Sequence, residues 1–259
     1  MIEIRNINKS FGNLHVLRDV SLSVPTGKIT AIVGPSGAGK TTLLQIAGSL
    51  ETPDTGYVDY NGTLITSLSE RKLARFRNSN IGFIFQFHEL LPEFTAEENV
   101  AIPAMIGGMS KRKALAKAAD LLGMLGLSDR LRHKPGELSG GERQRAAIAR
   151  ALINDPAVVM ADEPTGSLDS RNREEIQQLI AMLCRERGHT FLMVTHDASL
   201  AAIAHRIVTM RDGIIESVVE PSAQAPAPAA AEVPAEATAV APVEATPEVP
   251  AEASEEAES

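Results

Sequence analysis

The sequence has a single cysteine, Cys184, among its 259 residues, so no internal disulfide can form. This excludes a disulfide-stapled fold, fits a reducing cytosolic compartment, and leaves Cys184 best interpreted as a small apolar residue in a helix. No uninterrupted apolar run approaches the roughly 18 to 20 residues that a membrane-spanning helix needs. The first residues alternate like a strand and lack a basic segment followed by an apolar one. We therefore expect a soluble chain with no secretory signal.

A surplus of basic residues is also missing. Residues 221–259 hold eight glutamates and no Lys, Arg or Asp, which leaves 25 acidic against 25 basic residues in 1–220. A neutral body argues against a nucleic-acid-binding protein, which normally carries a basic face. The segment 221–259 consists almost entirely of Ala, Pro, Glu, Val and Thr without an aromatic residue, and we expect a disordered tail. It is either a solubilising appendage or a specific binding segment.

The pattern of the remaining chain is that of an α/β protein. Alternating strands at 2–7, 20–24 and 56–60, with a tight turn at Asn61-Gly62, predict an antiparallel β-layer. The character turns helical from about 95 to 152, with Ser110 and Ser139 as candidate caps. Short apolar strands are predicted at 29–33, 81–85, 157–161, 190–194 and 206–210, the last turning at 212–213 into 214–218. Their alternation with helices predicts a mostly parallel sheet covered on both faces.

One segment matches the phosphate-binding pattern G-x-x-x-x-G-K-[ST] without a gap, between a predicted strand and a predicted helix. Glycines let backbone N–H groups turn toward phosphates, and the helix N-terminus favours an anion. Lys40 would reach the β- and γ-phosphates of a nucleotide, and the Thr41 hydroxyl would bind Mg²⁺. The nucleotide-binding candidates are Gly34, Pro35, Ser36, Gly37, Ala38, Gly39, Lys40, Thr41 and Thr42.

Two carboxylates follow the apolar strand at 157–161. Asp162 is placed to hold Mg²⁺ through water, because this hard cation prefers oxygen ligands. Glu163 is the candidate base that polarises the water attacking a γ-phosphate. An acidic pair after a strand is weak evidence alone, but it is strong evidence in a chain that also has a phosphate loop. These residues predict an enzyme that hydrolyses the γ-phosphate of a nucleotide with Mg²⁺.

A second glycine-containing helix start discriminates between phosphate-loop proteins. Leu138 precedes Ser139, Gly140, Gly141 and Glu142, a second candidate anion-binding helix N-terminus, although an ordinary capped helix would look similar. With these residues upstream of Asp162, residues 1 to about 219 resemble the ATP-binding subunit of ATP-binding cassette (ABC) transporters, whose signature they match. The resemblance implies a P-loop NTPase (RecA-like) fold: a parallel sheet core, an antiparallel β-layer and a helical subdomain. The implied ABC ATP-binding domain spans 1–220, with the helical subdomain inserted at about 87–137.

The resemblance also implies roles for further residues. Phe11 matches the aromatic residue that stacks on adenine, Gln86 a metal-contacting glutamine that senses a membrane partner, and His196 a histidine at the γ-phosphate. Ser167, Leu168 and Asp169 match a loop that crosses between subunits. ATP would lie between the phosphate loop of one copy and the signature of a second copy. The implied partners are that second copy and integral membrane transporter subunits.

Within the family, the segment from Gln86 to Val100 and the segments Ala161–Gly166 and Met210–Gly213 are most similar to ATPases of lipoprotein-releasing systems. This similarity implies a peripheral protein on the cytoplasmic face of a bacterial inner membrane, which meets its lipoprotein cargo only indirectly. Relatives that power macrolide efflux, or that signal in cell division without transport, share most of these motifs and stay as alternatives. A soluble ABC protein acting on DNA or ribosomes is disfavoured by the single cassette and the neutral body.

Overall fold

The computed structural model of the protein describes residues 1–221, so the predicted tail lies outside the described residues except for Pro221. The strands are β1 (Ile2–Phe11), β2 (Leu14–Val24), β3 (Ile29–Val33), β4 (Thr55–Tyr60), β5 (Thr63–Leu64), β6 (Ile81–Ile84), β7 (Val158–Asp162), β8 (Thr190–Val194), β9 (Arg206–Arg211) and β10 (Ile214–Val219). The helices are α1 (Lys40–Ala47), α2 (Glu70–Asn80), α3 (Ala96–Ile106), α4 (Lys111–Met124), α5 (Gly140–Leu152), α6 (Ser170–Arg187) and α7 (Ala198–Ala202).

Six strands form the central sheet in the order β10-β9-β3-β8-β7-β6. The pairs from β9 to β6 are parallel, and β10 is antiparallel to β9. Strands β7 and β8 are continuous apolar runs because helices cover both faces of the sheet. The predicted parallel sheet is confirmed, and its order aligns the carboxyl ends of β3, β8, β7 and β6 along one edge.

The smaller sheet is antiparallel in the order β2-β1-β4-β5, as predicted from the alternating segments. Asn61 and Gly62 both have positive φ (51° and 87°), the geometry that a tight hairpin turn between β4 and β5 requires. Two apolar clusters fill the molecule on opposite sides of the central sheet. One joins the sheet to α3–α6, and the other joins it to α1 and the antiparallel sheet.

Helix α2 was not predicted from the sequence, for a physical reason. This helix has no buried residue, and only Leu73 and Phe76 pack against the core, so its sequence carries little apolar periodicity. Helix α4 begins after Ser110 as predicted, but the Ser110 side chain makes no capping hydrogen bond. Cys184 is buried in α6. In the described part of the chain, 1–221, no helix has the length and apolar character needed to cross a bilayer.

Candidate active site

The predicted phosphate loop follows β3 and opens α1 at the sheet edge where the parallel strands end. Gly34 has a φ of 146°, and a Cβ built there would lie 2.0 Å from the backbone oxygen of Met210, so the turn requires glycine. Gly39 precedes α1 with a φ of 92° and gives the helix no side-chain cap. The Lys40 Nζ donates to the carbonyl oxygens of Gly34 (2.9 Å) and Pro35 (2.8 Å). The loop thus folds around the ammonium group at the start of a helix that has free N–H groups.

The two predicted metal-binding residues Thr41 and Asp162 lie next to each other. The Thr41 hydroxyl donates to Asp162 Oδ1 at 3.2 Å, joining the first turn of α1 to the end of β7. Burial raises the pKa of the Asp162 carboxyl above its ordinary value, while the hydrogen bond from Thr41 acts in the opposite direction. A half-buried carboxylate with one hydroxyl neighbour has few groups that stabilise its negative charge. Such a carboxylate is suited to bind a cation.

Glu163 and His196 form the second pair at this edge. The Nδ1 atom of His196, which follows β8, lies 2.8 Å from Glu163 Oε1. The backbone N–H of His196 donates to Glu163 Oε2 at 3.3 Å. The Glu163 N–H donates to the carbonyl oxygen of Val194. Glu163 has a φ of 46°, an unfavourable left-handed conformation for a residue with a side chain. The pairing of β7 with β8 therefore fixes a strained glutamate whose carboxylate is oriented by a histidine.

Gln86 and the predicted dimer loop meet beside this pair. The Ser167 hydroxyl donates to the Gln86 carbonyl oxygen at 3.1 Å, and a Cβ added to Gly166 would lie 3.2 Å from Gln86 Nε2. Leu168 is buried in the core, and Asp169 caps α6 by accepting from the N–H of Asn172. The structure thus brings Gln86, Asp162, Glu163 and Ser167 to one sheet edge.

The predicted signature forms the first turn of α5. Ser139 Oγ accepts from the Glu142 N–H (3.2 Å), and the Glu142 carboxylate accepts from the Ser139 N–H (2.8 Å). Glu142 also pairs with Arg130 at 2.9 Å. These contacts, led by the Ser139 N–H, hold the pKa of the Glu142 carboxyl below its usual value. A Cβ on Gly141 would lie 1.9 Å from Asn172 Oδ1, so this glycine allows α5 to approach α6.

Phe11 and the signature lie apart from the catalytic pair. The Phe11 ring is 48% exposed at the end of β1, with Lys9 Nζ 5.1 Å from its centroid, so it is accessible for the predicted stacking. Within residues 1–221, no hydrogen bond joins the phosphate loop to residues 139–142. A single copy therefore shows two separate anion-binding candidates.

The structure adds residues that the sequence analysis missed. Arg150, in the last turn of α5, donates to the carbonyl oxygens of His88 (2.8 Å) and Glu89, which both have positive φ. Burial, with Arg143 nearby, lowers the pKa of His88. The segment after Gln86 is thus fixed on the helix that carries the signature. No local sequence pattern identifies Arg130 or Arg150, because the residues that they bind lie 12 and 61 positions away in the sequence.

Comparisons with known proteins agree with this geometry. A family model described as ABC transporter matches residues 17–166. A Porphyromonas gingivalis protein named "Lipoprotein-releasing system ATP-binding protein LolD" is 58% identical over 217 residues, covering 84% of this chain and 99% of that protein. The protein of the same name from Bacteroides thetaiotaomicron is 56% identical, with 83% and 99% covered.

Two solved structures have the same fold. A dimeric ATP-binding cassette in a post-hydrolysis state bound to ADP and Pi is 38% identical, with a TM-score of 0.78 over 85% of this chain and 98% of that one. A dimeric bacterial ABC transporter cassette is 39% identical, with a TM-score of 0.79 and the same coverage. The predicted P-loop NTPase fold is thereby confirmed. The chain belongs to the ABC transporter family, as one of its ATP-binding and ATP-hydrolysing subunits.

Proposed function

We propose that this chain is the ATPase subunit of a lipoprotein-releasing system, in which ATP binding and hydrolysis drive membrane subunits that release lipoproteins from the inner membrane toward the outer membrane. The observation that carries the proposal is the identity of 58% and 56% to two proteins with that name, over 99% of each of them. The chain would then lie peripherally on the cytoplasmic face of the inner membrane.

The phosphate loop would bind ATP through the α1 N-terminus and Lys40. The two loop carbonyls that now accept from Lys40 Nζ would be replaced by the β- and γ-phosphate oxygens. Glu163 is the general base, oriented by His196. A water molecule attacks the γ-phosphorus as its proton moves to Glu163, and the bond to the β-phosphate oxygen breaks to give ADP and phosphate. Lys40 stabilises the negative charge that develops on the phosphate oxygens.

The residues near Thr41 fit Mg²⁺. A hydroxyl and a carboxylate lie 3.2 Å apart at the end of β7, which gives the oxygen ligands that Mg²⁺ prefers. Thr41, Asp162 and the Gln86 side-chain oxygen would hold the ion, directly or through water. When bound, Mg²⁺ neutralises charge on the phosphates.

A second copy of the chain would complete each site. Ser139 uses an oxygen lone pair to cap α5, so its O–H remains available to donate to a γ-phosphate held by the other copy. Ser139 and the loop residues Ser36 and Gly37 are all exposed, as such a sandwich requires. Support comes from the two solved relatives, which are both dimeric. ATP would close the dimer, and hydrolysis would let it open.

A groove on the side of β6 is the docking site that we propose for a short helix of the membrane subunit. Its volume is about 490 Å³, and its walls come from α2, β6, α3 and α5. Leu50, Phe83 and Ile106 offer apolar surface, and Arg150 and Glu89 stand beside them. Arg150 of α5 holds the segment after Gln86 in place. A helix in this groove would therefore act on both Gln86 and α5, the helix that begins at the signature.

The first test uses Glu163→Gln in the full chain. We expect ATP to bind with unchanged affinity, hydrolysis to fall by about 10²-fold or more, and an ATP-dependent dimer to accumulate in size-exclusion chromatography. Glu174→Gln makes the same change at an exposed position on α6 and should behave as the parent. A Glu163→Gln variant that stays monomeric in excess ATP would contradict the sandwich mechanism.

The substrate is tested by a mild-detergent pulldown of the tagged chain from its native membranes, followed by mass spectrometry. We expect multi-span subunits with large periplasmic domains, either two different ones or one used twice, together with trapped lipoproteins. Recovery of an efflux-type or division-type partner without lipoproteins would contradict the proposed lipoprotein substrate but not the ATPase mechanism. Recovery of no membrane partner would overturn the transport proposal as a whole.

A further inference from the structure

Basic residues are concentrated on two helices of an otherwise neutral body. Helix α2 carries four cationic residues and one acidic residue, and α4 also carries four and one, so each helix has a net charge of +3. Residues 1–220 contain equal numbers of acidic and basic residues, so the rest of the body has a net charge of −6. The exposed cations at the starts of the two helices form a group that we term the basic collar: Arg71, Lys72, Arg75, Lys111, Arg112 and Lys113.

Within residues 1–221, most collar cations are free of ion pairs. Among the described residues, the only ion pair of the collar joins Lys111 to Glu98, at 3.9 Å. Some arginines elsewhere are paired, as in Arg130 with Glu142 (2.9 Å) and Arg173 with Asp197 (3.4 Å). Arg71, Lys72 and Arg75 are exposed on α2, whereas Phe76 of the same helix packs on the core. The collar is thus a solvated positive surface with no internal compensation.

Helix α2 lines the groove proposed for the membrane subunit, and α4 lines the cavity next to it. Ala74 and Arg77 of α2 line the groove on one side, and Ile106, at the end of α3, lines it near the start of α4. The C-terminal end of α2 contacts the last turn of α3, because Asn78 Nδ2 donates to the Pro103 carbonyl oxygen at 3.0 Å. A neighbouring cavity is lined by Ser79, Gly107 and Lys113, so the two collar segments share one side of the molecule.

We infer that the basic collar binds the anionic phospholipid headgroups of the membrane leaflet beneath which the chain docks. The inference rests on the proposed function for its orientation, since a helix of a membrane subunit in the groove holds the collar toward the bilayer. Lys and Arg side chains close to an anionic leaflet each contribute to binding, within a distance set by the Debye length. The collar adds attraction to the lipid surface and limits the tilt of the ATPase beneath its partner.

The absence of fixed partners favours lipid over an acidic protein surface. A specific protein contact pairs each buried charge with a complementary one, whereas a fluid leaflet supplies phosphate groups wherever the cations are. Arg71 and Lys72 are long, exposed side chains with no bound carboxylate to hold them in one conformation. Such cations suit a diffuse anionic surface better than a shaped protein interface.

The test is co-sedimentation of the full chain with vesicles, without membrane subunits. Vesicles of phosphatidylcholine with 30% phosphatidylglycerol, taken as a bacterial-type composition, should bind about tenfold more chain than phosphatidylcholine alone, and binding should fall with salt. The variant Arg71→Gln, Lys72→Gln, Arg75→Gln should lose about tenfold of that binding. Glutamine keeps the helix propensity of α2, so the fold is retained.

A matched control removes three exposed cations that do not line the groove, by Lys28→Gln, Arg185→Gln and Arg187→Gln. It should bind like the parent. Equal binding by the collar variant and the parent, no preference for anionic vesicles, or an equal loss in the control would overturn the inference. If a collar variant no longer binds vesicles but still recovers the membrane subunits, then lipid binding by the collar and docking at the groove are separate properties. Recovery of subunits lost while vesicle binding persists would instead place the collar in the protein interface and overturn the inference.

Discussion

Helices α1 and α5 both begin beside glycines, but the free backbone N–H groups of their first turns have different partners. Helix α1 follows Gly39, which supplies no side-chain cap, and its first turn contains no acidic residue. Helix α5 follows Ser139, which caps it, and Glu142 places a carboxylate in its first turn. The N–H groups and the dipole are therefore available to an anion at α1, whereas at α5 they are partly compensated within the chain.

This difference assigns unequal tasks to the two helix ends. The α1 end can bind a triphosphate in a single chain, with Lys40 adding charge. The α5 end offers mainly the Ser139 O–H and would contribute when the phosphate loop of a second copy brings ATP to it. In the proposed cycle, an internally compensated signature would leave the chain monomeric without nucleotide. Each prediction below changes one of the two ends.

The largest effect is expected from Lys40→Ala. Removing a preorganised cation at the developing charge should lower the hydrolysis rate by about 10²–10³-fold and weaken ATP binding, measured by phosphate release and calorimetry. Lys28→Ala, at an exposed lysine before β3, should leave both unchanged. If Lys40→Ala bound ATP as tightly as the parent while a Ser139 variant did not, the assignment of the two helix ends would be reversed.

The next effect concerns Gly141, where α5 approaches α6. In Gly141→Ala the new Cβ would lie 1.9 Å from Asn172 Oδ1, so overpacking should lower the free energy of unfolding by about 1–3 kcal/mol. This loss exceeds the gain of about 1 kcal/mol that alanine brings to a helix. Urea denaturation of Gly141→Ala, Asn172→Ala and the double variant gives the coupling between them.

In that cycle, Asn172→Ala should restore most of the stability lost in Gly141→Ala. Gly136→Ala is the control, because a Cβ there meets nothing within 4 Å. A double variant no more stable than Gly141→Ala alone would mean that the close approach of α5 and α6 does not explain this glycine.

Motifs located much of the candidate site because the residues occur in short continuous segments at strand ends. Gly34 to Thr41, Asp162 with Glu163, and Ser139 to Glu142 each carry their pattern locally, and parallel strands then bring the first two together. Asn172, Arg130 and Arg150 could not be found in this way, since each acts on a segment that is distant along the chain. The strands were predictable from apolar runs, whereas α2 buries no residue and so lacked the period that identifies a helix.

A smaller effect separates the cap of α5 from its proposed role in ATP binding. Ser139→Ala should lower stability by about 1 kcal/mol through the lost cap and also abolish the ATP-dependent dimer of Glu163→Gln. Ser139→Asp should keep the cap and the stability, because aspartate accepts the same N–H, but it has no hydroxyl to donate. We therefore expect normal thermal unfolding of Ser139→Asp and no dimer in size-exclusion chromatography with ATP. A Ser139→Asp variant that dimerises normally would limit Ser139 to capping.

The smallest expected effect is on stability at Asp162, the counterpart of Glu142 at the other helix end. Burial raises the pKa of Asp162, whereas hydrogen bonds lower that of Glu142, so only Asp162 is costly to ionise. The folded state holds the Asp162 proton more tightly than the unfolded chain does. Ionised Asp162 therefore destabilises the fold at every pH above its raised pKa, and the cost disappears as the pH falls below the unfolded value.

Asp162→Asn should accordingly raise Tm slightly at pH 7 without nucleotide, by about 2 °C, and abolish Mg²⁺-dependent ATP hydrolysis. The gain in Tm should shrink as the pH is lowered toward 4, because the parent carboxyl then becomes protonated. Asp120→Asn removes a charge at an exposed position on α4 and should leave Tm unchanged. A lower Tm for Asp162→Asn at pH 7 would show that the hydrogen bond from Thr41 outweighs the cost of burial. The charge of Asp162 beside α1 would then be stabilised within the chain, as the charge of Glu142 in α5 is. The two helix starts would no longer differ in this respect.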